Sequence, residues 1–220
     1  MLNKGDFVEI EFLGRIKGGE IFDTNIKEKA KEINLEMETK PLIICLGQEM
    51  MLKSIDESLI GKKPGESFSL DLKPKEAFGE RDRKLLRTIP IKVFLEQKIN
   101  PYPGLVLNMD GMIVRIAAVS GGRVTADFNN PLAGKELVYE LHIKKKIESL
   151  EEKAKALINF FLRKDFKFEI KDNKLIIEAI EPEQKYISIF KDKFEEILNL
   201  DMDFKLPEKK EKQEENSQES

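Results

Sequence analysis

The run DFVEIEFLGRI, residues 6–16, constrains the fold more than any other stretch, because its apolar and polar residues alternate. Val8, Ile10 and Phe12 fall on one side and Phe7, Glu9 and Glu11 on the other, the period of a half-buried β-strand. KGGE then supplies a hairpin turn and IFDT opens a second strand. Residues 26–35 read as a short surface helix in a loop, and PLIICLG as a buried strand. MLKSIDESLIG sets Met51, Leu52, Ile55 and Leu59 on one helical face, with Gly61 as the stop. KPGESFSLDLKP follows as a turn and another alternating strand, Phe68, Leu70 and Leu72 pointing one way.

Residues 85–129 change character. LVLN, MIVRIAAVS and RVTADF read as strands separated by Gly111 and by Gly121-Gly122. NNPLAGKELVYELHIKKKIE then resumes a long strand. A β-rich unit between two strands of one sheet is an insertion whose ends meet at the surface. From Leu150 the pattern shifts again. Leu150, Ala154, Leu157, Ile158 and Phe161 have helical spacing, Phe166, Phe168 and Ile170 alternate, KDNK turns and LIIEAI forms a strand. Ile187, Phe190, Phe194, Ile197 and Leu198 mark a second helix. This α-β-β-α unit, residues 149–206, has apolar stripes but a small core of its own, so a homodimer through it is expected. Residues 207–220 are expected to be disordered.

Charged residues make up 36 % of the chain, yet 38 Lys and Arg against 41 Asp and Glu leave a net charge of −3. Nucleic acid and anionic membranes call for a basic excess, so neither is an expected partner. No apolar run approaches the roughly 18 residues of a membrane span, and no signal peptide precedes the first strand, so a cytoplasmic protein is expected. The single Cys, Cys45, reads as a small core hydrophobe, and the single His, His142, lies near a strand end. No paired His or Cys ligands occur, so no metal site and no cofactor are expected.

With its pieces in this order, the chain resembles the FKBP-type peptidyl-prolyl isomerases, in particular their SlyD-like long branch. The resemblance is carried by GGEIFDT, PLIICLGQEMMLKSIDESLIGKKPGE, LKPKEAFGE and NNPLAGKELVYEL, which span residues 1 to about 146 in family order. It implies an α+β fold: an antiparallel half-barrel sheet wrapped on a short helix, built from residues 1–84 and 130–148. Residues 85–129 would be the domain that this branch inserts in its flap, and 149–206 a C-terminal α/β extension. The resemblance also implies the activity. Rotating an Xaa-Pro bond crosses a barrier of roughly 20 kcal/mol and requires no acid or base. The planar amide is strongly dipolar and the half-rotated one is not, so a dry apolar pocket disfavours the ground state more than the transition state.

Carried over by motif, Phe12 and Phe22 form one wall with Asp23 at the rim, Phe78 stands opposite and Tyr139 closes the back. Met51 and Leu52 begin the helix, the Leu52 N–H bonding the substrate carbonyl, and Ile55 is the floor. Asp23 orients or polarises the carbonyl before the proline. The family usually has Tyr where this chain has Phe12 and Phe78, often Gly at Ser54, and Trp or Leu at Ile55. These departures imply a less polar pocket, modest small-peptide turnover and poor binding of macrolide inhibitors. Singly, Phe22, Ile55 and Phe78 also read as core and Asp23 as a turn residue. A holdase chaperone stands beside the isomerase. Its surface for unfolded or proline-containing chains is expected on the insert at Leu105, Val106, Met109, Met112, Ile113 and Val114. The alternative is mainly a chaperone or peptide-binding module with weak isomerase activity. The nickel-binding, His-rich tail of many bacterial SlyD proteins has no counterpart in the sequence.

Overall fold

The structure, a computed structural model, describes residues 1–34 and 40–207. The first part of the chain supplies β1 (Phe7–Ile16), β2 (Ile21–Thr24), α1 (Lys27–Glu32), β3 (Leu42–Cys45), α2 (Lys53–Leu59) and β4 (Ser67–Leu72). A middle part supplies β5 (Leu86–Pro90), α3 (Ile91–Glu96), β6 (Val106–Met109), β7 (Met112–Ser120) and β8 (Arg123–Asp127). After β9 (Leu137–Ile147) come α4 (Leu150–Leu162), β10 (Phe168–Lys171), β11 (Lys174–Glu178), α5 (Glu181–Ile187), α6 (Lys191–Leu198) and β12 (Asp201–Lys205). Leu35 of the helix expected at 26–35, and residues 208–220 of the tail expected to be disordered, lie outside the described residues. Among the described residues no helix is long and apolar enough to cross a membrane.

β1 is the spine of a five-stranded antiparallel sheet. β9 pairs along its whole length, from Phe7 opposite Ile147 to Ile16 opposite Leu137, and β4 lies beyond β9. The other edge of β1 is shared, its first half pairing with β3 and its second with β2. The alternation of β1 delivers Ile10 and Phe12 to a core that Ile55 and Leu59 of α2 complete. Burying such side chains contributes about 1.5–3 kcal/mol each, enough to fix the register of every strand they belong to.

The strands of the middle part form a separate sheet in the order β5-β8-β7-β6. Its core is its own: Phe94 of α3 with Val114, Ile116, Val124 and Ala126. The sequence suggested three strands here; β5 and α3 join them, because Pro90 ends β5 where Phe94 turns back onto the sheet. Val114, expected on an exposed chaperone surface, is buried at 0 % exposure. Met112, Ile113 and Val114 are consecutive, so a strand cannot present all three to one side, and Val114 falls with Ile116 on the inner face. The chain enters and leaves this sheet at adjacent points. The Phe128 N–H donates to the Leu85 carbonyl at 3.0 Å. Arg81 pairs with the buried Asp127, and Asn129 exchanges hydrogen bonds with the Asp82 backbone at 2.8 and 3.0 Å.

The C-terminal part differs from the expected α-β-β-α. β12 adds a strand, parallel to β11, and the second helix is two, α5 and α6, joined by a 3₁₀ turn at Ser188–Phe190. The alternation of Leu200, Met202 and Phe204 is strand period too short to stand out in the sequence. Nor does this part make its core alone. Ala154, Leu157, Ile158 and Leu162 of α4 belong to one apolar cluster with Phe7 and Ile44 of the first sheet. Lys153 lies over the Phe7 ring at 5.7 Å. The core shortage from which a homodimer was expected is met within the chain.

Candidate functional site

The stretch FDTN shows how the backbone prepares the site. Between β2 and β3 the edge of β1 lacks a strand partner at Glu11 and Phe12. Asn25 fills the gap, its amide oxygen accepting from the Phe12 N–H at 2.8 Å and its NH₂ donating to the Ile10 carbonyl at 2.8 Å. The buried Thr24 hydroxyl donates to the Phe12 carbonyl at 2.7 Å. Asn25 and Thr24 thus pin Phe12 in place and fix where Phe22 and Asp23 begin. In the sheet, Gly14 lies opposite Asp23 on one side and opposite Tyr139 on the other.

Four aromatic rings meet here. The Phe22 ring stands edge-on to Tyr139 at 5.8 Å and edge-on to Phe78 at 6.5 Å, and Phe12 is 6.2 Å from Tyr139. Tyr139 and Phe12 are buried, Phe22 and Phe78 half-buried. Ile55 lies fully buried in the same cluster, with Met51 and Leu52 half-buried against it. Phe78 comes from the chain after a 3₁₀ turn at Pro74–Glu76, closed by the Gly79 N–H donating to the Pro74 carbonyl at 2.7 Å. Ser54, where the family often has Gly, ties α2 to this turn: its hydroxyl donates to the Glu76 carbonyl at 2.7 Å.

Leu52 is the N-cap of α2 rather than its first residue, and Met51 lies in the turn before. The Leu52 N–H has no backbone or side-chain acceptor among the described residues, so it is available to a ligand.

Asp23 is half-buried, and burial raises its carboxyl above the usual aspartate range against the opposing hydrogen bond from the Thr24 N–H. Burial, and then the charge of Asp23, push the Tyr139 hydroxyl far up, so it stays protonated. The arrangement is therefore apolar, ringed by π-faces and edges, with one carboxyl at its margin. Cys45 takes no part: it is buried on β3, and burial followed by the charge of Asp56 pushes its thiol up to about 11.

The sequence reading missed Gly14. A Cβ added there would lie 2.9 Å from Phe22 Cζ and 3.0 Å from Tyr139 Cε1. The signal was present, since a lone Gly inside an alternating strand marks a close approach. Of the insert residues expected to be exposed, Val106, Met112 and Ile113 are at 57 %, 47 % and 61 %. Leu105 and Met109 are half-buried against the insert core, and Val114 lies inside it. Two clefts lie away from the rings. One, of about 470 Å³, opens on the outer sheet face beside Leu13, Ile26, Ser67 and His142. The other, of about 380 Å³, lies at the junction beside Arg81, Arg115 and Asp127.

Comparison with known proteins bears on the first and middle parts of the chain. The family model for FKBP-type peptidyl-prolyl cis-trans isomerase matches residues 1–99. The model described as FKBP26, IF domain, matches residues 87–132. A short-type peptidyl-prolyl cis-trans isomerase of Methanocaldococcus jannaschii is 31 % identical over 147 residues, covering 66 % of this chain and 93 % of that protein. The FKBP-type isomerase SlyD of Treponema pallidum is 28 % identical over 156 residues, 69 % of this chain and 81 % of that protein. SlyD of Aeromonas hydrophila is 27 % identical over 139 residues, 62 % of this chain and 60 % of that protein.

Proposed function

The chain belongs to the FKBP-type peptidyl-prolyl cis-trans isomerase family, and we propose that Phe12, Phe22, Phe78 and Tyr139 over Ile55 are its catalytic pocket. The observation that carries this reading is the convergence of these rings, Phe22 and Tyr139 closing on a side-chain-free Gly14, beside the half-buried Asp23 carboxyl. The rings exclude water from a bound proline, and the Leu52 N–H and Met51 hold the peptide. An ionised Asp23 near the carbonyl before the proline opposes the partial negative charge on its oxygen. That charge is largest in the planar amide and fades on twisting, so the carboxylate raises the ground state more than the transition state.

Asp23→Asn is therefore expected to lower tetrapeptide turnover several-fold. Its stability effect has the opposite sign. The folded carboxyl is raised, so the native state holds its proton to higher pH than the unfolded chain does. The contribution of Asp23 is best below the ordinary aspartate value of 3.8 and is lost as the pH rises through the folded value. Asp23→Asn should melt at the same temperature as wild type or slightly higher at neutral pH, the difference vanishing in acid. A marked drop in melting temperature with unchanged specific activity would make Asp23 a structural residue.

The proposed cellular role is acceleration of proline-limited folding, with the insert holding the client. Val106, Met112 and Ile113, with Tyr102 at 58 % exposure, supply the holding surface. A peptide-binding module with weak turnover is the second reading. It is favoured by Phe12 and Phe78, which lack the hydroxyls of the family's usual tyrosines.

A homodimer through residues 149–206 is also proposed, now on the exposed surface of that part. Tyr186 stacks edge-on to Phe190 at 5.6 Å, Phe190 lies 5.4 Å from Phe161, and Ile189 beside them is 74 % exposed. Light scattering should give twice the chain mass, reverting to one on Ile189→Asp. A full-length monomer at high concentration would contradict the dimer.

A further inference from the structure

Asp56 sits in the middle of α2 at 3 % exposure, with no cationic partner among the described residues. Its carboxylate turns instead to the loop before the helix. Both oxygens accept from the Gly47 N–H at 2.9 Å, and Oδ2 also accepts from the Glu49 N–H at 3.0 Å. That loop, residues 46–52, needs such a tether. Gly47 at φ +84° and Glu49 at φ +52° are both left-handed, which a non-glycine residue such as Glu49 adopts only at a cost. The loop is held a second time where the Cys45 N–H donates to the Met50 sulfur at 3.1 Å. It ends at Met51 and at the Leu52 N–H, which has no acceptor among the described residues.

We propose that Asp56 is a positioning residue of the isomerase site, holding the 46–52 loop on the course that presents Met51 and the Leu52 N–H to a bound prolyl peptide. This rests on the reading of Met51 and Leu52 as peptide-binding residues. A buried carboxylate is expensive, and a role confined to filling space would be served by an apolar side chain of similar size. What a carboxylate supplies is acceptor oxygens alone, aimed at converging N–H donors. An Asn in its place has one acceptor oxygen and turns an NH₂ toward those donors, so the loop relaxes even though the helix remains.

The test separates loop position from folding. Asp56→Asn and Asp56→Glu are compared with Leu157→Ala, a buried α4 variant outside the loop and helix that carry Asp56, in a Xaa-Pro tetrapeptide assay well below each melting temperature. Asp56→Asn should raise KM about fivefold with kcat little changed, the size expected when one hydrogen bond to a ligand is misplaced. Asp56→Glu, which keeps both oxygens on a longer arm, should fall between it and wild type. Leu157→Ala should leave KM unchanged, because any loss of folded protein lowers only the apparent kcat. Unchanged KM in both Asp56 variants, with kcat falling in step with stability, overturns the proposal. In parallel, the Leu52 amide resonance is followed while the tetrapeptide is titrated in. It should shift in wild type and less in Asp56→Asn. A shift without turnover would leave the positioning role standing and sink the isomerase reading; no shift in wild type would sink the positioning role.

Discussion

Gly14→Val should cost tetrapeptide turnover about a hundredfold, equivalent to about 2.7 kcal/mol of barrier. Gly14 is not among the residues with positive φ, so its backbone accepts a β-branched side chain, and Val favours strands. Any loss must then be steric and local. The new Cβ would lie 2.9 Å from Phe22 Cζ and 3.0 Å from Tyr139 Cε1. Tyr139, at 3 % exposure, has no room to retreat, so Phe22 must swing out and lose its edge contacts with Tyr139 and Phe78. Overpacking of this kind costs about 1–3 kcal/mol of stability, so a lower melting temperature accompanies the activity loss. A folded Gly14→Val protein turning over at the wild-type rate would show that these rings line no substrate pocket.

Replacing residues 86–128 with a short Gly-containing loop should leave tetrapeptide turnover nearly intact while abolishing suppression of aggregation and most of the acceleration of proline-limited refolding. The geometry permits the deletion. Leu85 and Phe128 are joined by a hydrogen bond of 3.0 Å, so the new loop spans a short gap. The bonds between Asn129 and the Asp82 backbone survive it. Asp127 is lost, but its partner Arg81 is largely exposed and remains hydrated. None of the pocket rings lies in the removed segment, whose buried residues form a core separate from theirs. A tetrapeptide touches only the pocket. An unfolded chain must be held near it, and the held proline gains effective concentration. Refolding catalysis and aggregation suppression that survive the deletion would move the holding surface off the insert, and the aromatic surface at Tyr186, Ile189 and Phe190 would be the next candidate.

What the sequence conveyed depended on the range of the interaction. Alternation is local, so β1, β4 and β9 could be read directly, and motif order singled out the four rings that meet in the fold. Which face of an apolar run turns inward is decided by what packs on it, and Met112-Ile113-Val114 gives no sign that Phe94 will cover only the third. The burial of α4 on β3 depends on residues more than a hundred positions apart, so the apolar stripe on α4 looked unpartnered and suggested a second copy. Ile55 and Leu59 fit a helical face, but nothing local in the sequence marks Asp56 between them. Only the fold brings Gly47 and Glu49 to its carboxylate.

The decisive measurement is the rate of cis-to-trans conversion of a Xaa-Pro tetrapeptide as the concentration of the full chain is raised, with Gly14→Val alongside. The rate should climb in proportion to the wild-type protein, well above the spontaneous exchange that takes roughly 10–100 s at 25 °C, and stay near the spontaneous value with the variant. A rate that does not change with wild-type protein, or that climbs equally with both proteins, would mean that the aromatic cluster around Gly14 is not where prolyl bonds are turned.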